Sequence, residues 1–201
     1  MTTPARDVDV SDLPTYAFGA SGLIWWGTLG YMVIEATMFL VVFAAYCYLR
    51  LQSETWPPSQ PLPALLIATV HLAVLVVSCV PNLLAKRAAE HLDRRGVQRW
   101  LTVMAVIGLL TLALRGFEYP ALNTRWDSNA YGSITWLLLS LHTLHLITDA
   151  GETVVLAVLA HTEPIEAQRF VDFSENTLYW YFVVVSFVPI YLIVYISPRW
   201  L

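Results

Sequence analysis

Of the 201 residues, 57% are hydrophobic and only 13% are charged, roughly half the ~25% charged share of an ordinary soluble domain. The net charge of −4 excludes the basic footprint that nucleic-acid binding needs. The two cysteines, Cys47 and Cys79, lie inside apolar runs. They form neither a disulfide framework nor a zinc site, and each reads as a small buried hydrophobe.

Residues 1–21 mix Arg6 with Asp7, Asp9 and Asp12. They lack an apolar h-region, so they read as a cytoplasmic tail and not as a secretory signal. Residues 22–201 read as a single all-α membrane domain. A spanning helix needs about 20 apolar residues, and five stretches qualify: 22–49, 64–84, 97–114, 133–160 and 178–196. Between them, 53–63 holds Pro57, Pro58, Pro61 and Pro63, which cannot continue a helix. Residues 86–99 read as a charged turn, 118–130 as a polar loop around Pro120, and 161–176 as a polar loop around Pro164. Connections this short predict that consecutive helices are antiparallel neighbours. One side of the membrane collects Arg6, Lys86, Arg87, Arg94, Arg95, Arg99 and Arg169; the other has Arg50, Arg115, Arg125 and Arg199. The bias predicts the N-terminus inside and the C-terminus outside.

Ionisable groups in a span are costly, so they mark an interior, an interface or a function. Glu35 sits midway along the first span. It reads either as a proton-accepting carboxylate or as a neutral acid hydrogen-bonded inside the bundle. His142, His145, Asp149 and Glu152 fall within about 80° of arc at 100° per residue. Such a stripe suits a polar seam between helices, a proton relay or a set of metal ligands. His71 in the second span reads as a hydrogen-bonded structural residue, or with His142 or His145 as a haem clamp. Arg115 and Glu118, at i and i+3, read as an interfacial ion pair or a contact to lipid or another subunit, as does Arg50. The seam is the reading favoured here, with no metal or haem held by this chain. No nucleotide loop or catalytic triad is present.

Three segments together carry a resemblance. They are EATMFLVVFAAYCYLR (35–50), RGFEY (115–119) and LHTLHL (141–146), followed by an aromatic-rich last span. In this order the chain resembles subunit III of the haem-copper oxidases, in the short bacterial form with five helices. Two departures stand out. The family's His-Phe-Val-Asp in the last helix is replaced by Tyr181, Phe182, Val183 and Val184. The apolar stretch after the second histidine is replaced by Thr148, Asp149, Ala150, Gly151 and Glu152.

The resemblance implies an accessory subunit without haem, copper or a catalytic centre of its own, in a bacterial inner membrane. It would partner oxidase subunit I, with subunit II and small subunits, bind phospholipid, and support proton uptake and the stability of the catalytic subunit. Oxygen reduction, respiratory electron transport and proton translocation would reside in those partners. A subunit-III-like partner of a nitric oxide reductase and a stand-alone proton or ion carrier are the alternatives.

Overall fold

The computed structural model describes residues 16–58, 61–162 and 164–200; part of the predicted tail, with Arg6, lies outside them. Five helices are long and apolar enough to cross a membrane: α1 (Leu23–Leu51), α2 (Leu65–Glu90), α3 (Arg94–Glu118), α4 (Ala130–Thr162) and α5 (Ala167–Trp200). No strand occurs among the described residues.

The helices outrun the apolar stretches. The predicted charged turn at 86–99 shrinks to His91, Leu92 and Asp93, because α2 runs on to Glu90 and α3 starts at Arg94. Leu92 turns the chain in the left-handed region (φ 54°), and Asp93 N–H donates back to the Ala88 carbonyl at 2.9 Å. Similarly, α5 begins at Ala167, inside the stretch expected to be a loop. A helix leaving lipid keeps its backbone hydrogen bonds, so hydropathy marks where lipid ends and not where the helix ends.

The order of packing also departs from expectation. α2 pairs with α3, and α3 with α4, as hairpins should; but the main partners of α1 are α4 and α5. The connector between α1 and α2 crosses one end of the bundle. Ala64 N–H donates to the Ala121 carbonyl at 2.7 Å, and Asn123 Nδ2 donates to the Leu62 carbonyl at 2.9 Å. Trp56 packs edge-on against both Tyr46 and Tyr131, with ring centroids 5.3 and 5.1 Å away. Its four prolines keep the connector from continuing the α1 helix.

Close approach at the α3–α4 contact depends on a small residue. A Cβ placed on Gly108 would lie 3.0 Å from the Ala150 methyl carbon, consistent with the use of small residues where membrane helices meet. α4 starts where Asn129 Oδ1 accepts the Gly132 N–H at 2.8 Å, relieving one unpaired helix donor. Near its far end α5 contains Pro189 and then widens into a π turn, Leu192–Ile196, which carries Tyr195. The apolar core lies around Trp180, Val183, Phe187 and Ile190 of α5, with Phe39, Leu75 and Leu138 against it. Many apolar side chains remain on the outside, including Val33, Ile34, Leu40 and Val41 of α1. Cys79 is half-buried, but Cys47 is exposed on this apolar surface instead of buried as expected.

Gly108→Leu should destabilise the bundle by about 1–3 kcal/mol, the usual result of overpacking. Gly116→Ala, whose added carbon meets nothing within 4 Å, should change stability by less than about 0.5 kcal/mol. Unfolding in mixed detergent micelles measures both.

Candidate functional site

Most of the ionisable span residues singled out in the sequence fall into two networks, with Asp149 outside both. The first network is built on Glu118 at the end of α3. Arg115 Nη1 donates to Glu118 Oε2 at 2.7 Å, His71 Nδ1 to the same oxygen at 2.8 Å, and Tyr195 O–H to Oε1 at 2.5 Å. Arg115 Nη2 donates to His142 Nδ1 at 2.8 Å, and His142 Nε2 donates to the Val183 carbonyl at 2.9 Å. A guanidinium only donates, so His142 Nδ1 carries no proton and Nε2 carries one. Phe187 completes the cluster. The Arg115 guanidinium carbon lies 4.8 Å from its ring centre, and the rings of His71 and His142 each lie 5.0 Å from it. Side chains from α2, α3, α4 and α5 are thereby tied together.

This is a correction for Arg115 and Glu118. The sequence places them at a membrane interface, touching lipid or another subunit; they are 1% and 0% exposed inside the chain. The i,i+3 spacing is compatible with either place. What puts them inside is the set of partners contributed by other helices, which sequence spacing cannot display. Arg50 remains partly exposed at the end of α1 and lines a surface cleft with Cys47, Glu54 and Trp56.

The second network surrounds Glu35, itself buried. Tyr179 O–H donates to Glu35 Oε2 at 2.6 Å. His145 Nε2 lies 3.4 Å from Glu35 Oε1, near enough for charge attraction but too poorly directed to be a hydrogen bond. His145 Nδ1 donates to the Leu141 carbonyl at 2.6 Å. With Nδ1 committed to that carbonyl, Nε2 is the ring nitrogen left facing Glu35. Phe39 and Phe182 pack on the His145 ring at 4.9 and 6.1 Å.

The predicted stripe on α4 does share a face, but it is not one network. His142 belongs to the Glu118 cluster and His145 to the Glu35 pair. Asp149 is buried, and neither carboxylate oxygen has a hydrogen-bond partner. Glu152 is exposed at the rim of a cavity. Tyr195 and Tyr179 were not singled out from the sequence. Tyrosines abound in the last span, and only the π turn and the fold show which of them reach a carboxylate. Among the described residues, no group of three or more His, Cys, Asp or Glu is placed to hold a metal ion.

Fold and polar interior together define a multi-pass helical membrane protein whose ionisable groups are largely consumed in joining its own helices. Residues 15–199 match the family model described as cytochrome c oxidase subunit III. The chain is 29% identical over 202 residues to cytochrome c oxidase subunit 3 of Synechocystis sp., covering 97% of this chain and 86% of that protein. It is 27% identical over 176 residues to the subunit 3 of Thermostichus vulcanus, covering 86% and 87%. It is also 30% identical over 178 residues to the probable subunit 3 of Mycobacterium leprae, covering 84% and 85%. The chain belongs to the cytochrome c oxidase subunit III family.

Glu118→Leu alone should destabilise the protein by about 3–5 kcal/mol, because it leaves Arg115 charged and buried without its anion. The double substitution Arg115→Met, Glu118→Leu should be less damaging than the sum of the single changes. A double-mutant cycle on the purified protein checks this.

Proposed function

We propose that the chain is a cofactor-free accessory subunit of a haem-copper terminal oxidase, seated against the catalytic subunit I in a bacterial inner membrane with its N-terminus inside. Subunit II, small subunits and phospholipid are its further neighbours. Its own contributions are mechanical support, bound lipid and assistance with proton uptake; electron transfer and oxygen reduction belong to its partners. Relatives named for cytochrome c oxidase favour this over a nitric oxide reductase partner or a free-standing carrier.

The observation that carries the reading is the commitment of His142, and of His71 through Nδ1, to the Glu118 cluster. Both ring nitrogens of His142 are engaged by protein groups, and His71 is held to Glu118 through Nδ1. Phe187 contacts both rings, where a haem bridging His71 and His142 would have to lie. A haem held between His71 and His142 would require dismantling the Glu118 cluster. The exposed apolar faces supply the complementary half of the argument. Only 17% of the apolar window of α1 is buried within this chain, leaving a broad face for a partner helix or acyl chains. Arg50 beside Trp56 offers a cation and an aromatic ring of the kind that anchors anionic headgroups at a membrane interface.

Gentle-detergent purification on a tag carried by this chain should recover a haem-bearing membrane subunit and a visible haem spectrum. The chain expressed alone should show no Soret band. Stoichiometric haem on the chain alone would contradict the proposal.

A further inference from the structure

Near the end of the bundle where α1 and α5 begin and α4 ends lies a cavity of about 530 Å³. Its wall includes four carboxylates: Asp149 and Glu152 from α4, and Asp172 and Glu175 from α5. Acidic residues alone would signify only a solvated patch. Here two of them are buried with unsatisfied oxygens. Asp149 is 1% exposed with both carboxylate oxygens unpartnered, and Glu175 is 6% exposed with Oε2 unpartnered. The cations near them are peripheral. Arg169 reaches Asp172 at 4.0 Å, and Lys86 acts on Glu175 from α2, alongside Glu90. Among the described residues, no cation acts on Asp149. A buried carboxylate without a donor is among the most expensive arrangements a protein makes, and a proton removes that expense.

The same wall reaches the Glu35–His145 pair. Tyr31 and Tyr179 both line the cavity. Their rings stack at 5.8 Å, and both hydroxyls interact with Glu35. Tyr179 also lies close enough to Asp149 to feel its charge.

We propose that this cavity is a proton-exchange vestibule in which Asp149 takes protons from water and passes them through Tyr179 to the Glu35–His145 pair. In the inward step, a hydronium ion in the cavity gives a proton to an Asp149 oxygen and becomes water. The Asp149 O–H bond then breaks as its proton passes to a cavity water, which releases one of its own protons to the Tyr179 oxygen while the Tyr179 hydroxyl proton moves to Glu35 Oε2, leaving Asp149 a carboxylate again. One O–H bond forms and one breaks at the tyrosine, so it ends unchanged, and the reverse sequence returns the proton. No oxidant or metal is needed. Exchange is a property of this chain by itself; only its use in assisting an oxidase rests on the function proposed above.

The test is infrared hydrogen–deuterium exchange on the full chain in lipid nanodiscs, following carboxylic-acid C=O bands after transfer to ²H₂O. Glu35→Gln and Asp149→Asn assign the bands. Gly27→Phe narrows the cavity from α1 while keeping every acid, since a carbon added at Gly27 meets nothing within 4 Å. Wild type should show a protonated Asp149 band. Exchange at the Glu35–His145 pair, read from the Glu35 band or from its His145 ring modes, should slow by about tenfold or more in Asp149→Asn and in Gly27→Phe. Equal exchange rates in wild type and Gly27→Phe would overturn the proposal even if Asp149→Asn failed to fold. So would a stoichiometric organic or metal cation found on the purified chain and masking Asp149. Loss of association with a haem-bearing subunit would instead count against the oxidase assignment and leave the exchange measurement unaffected.

Discussion

Glu118 is able to sit inside a lipid-embedded bundle because Arg115, His71 and Tyr195 aim three donors at its two oxygens. A lone carboxylate in that place would be several kcal/mol unfavourable; a fully hydrogen-bonded one becomes a joint. Its partners come from α2, α3 and α5, and Arg115 extends the joint to His142 on α4. Four of the five helices therefore have a fixed rotation about their axes at this end. Apolar packing alone specifies rotation poorly in lipid, where acyl chains compete with every leucine. α1 is the exception. It joins the bundle through Glu35 and Tyr179, the aromatic contacts of Phe39, and Tyr46, whose hydroxyl donates to the Ile193 carbonyl at 3.1 Å, and it presents most of its apolar face outward.

The bundle is consequently asymmetric along its length. At the end holding Glu118, the connector between α1 and α2 lies across the helices and both oxygens of the buried acid are hydrogen-bonded. At the opposite end, α1, α4 and α5 line an acidic cavity with unpaired oxygens. His142 and His145, three residues apart on one helix, face these two regimes. One is locked by an arginine and a backbone carbonyl; the other faces Glu35 at 3.4 Å without a hydrogen bond.

The number of helices was legible in the sequence because a lipid solvent imposes a length and a hydropathy on every span. Their ends were not. Lys86 to Glu90 and Ala167 to Asn176 are polar yet helical, since backbone hydrogen bonding continues past the lipid boundary. Packing order was misread for α1, as loop length constrains distance and not which neighbour is chosen. The site residues were recognisable individually, because ionisable groups in apolar runs stand out. Their partners were not. Arg115 and Glu118 look identical in sequence whether they cap a helix at an interface or anchor a buried cluster. Only His71, Tyr195 and Phe187, arriving from other helices, distinguish the two. The α4 stripe was visible as one face, but its division between two networks depends on what α1, α3 and α5 bring to it.

Nitrogen-15 solid-state NMR of the histidine rings in lipid tests the central claim most directly. The Glu118 cluster predicts a single neutral tautomer at His142, with the proton on Nε2 and none on Nδ1, and a His71 whose Nδ1 is protonated and hydrogen-bonded. Glu118→Gln should disturb both signals together. A His142 protonated on Nδ1, a ring nitrogen coordinated to haem iron, or a His71 signal insensitive to Glu118→Gln would contradict the account.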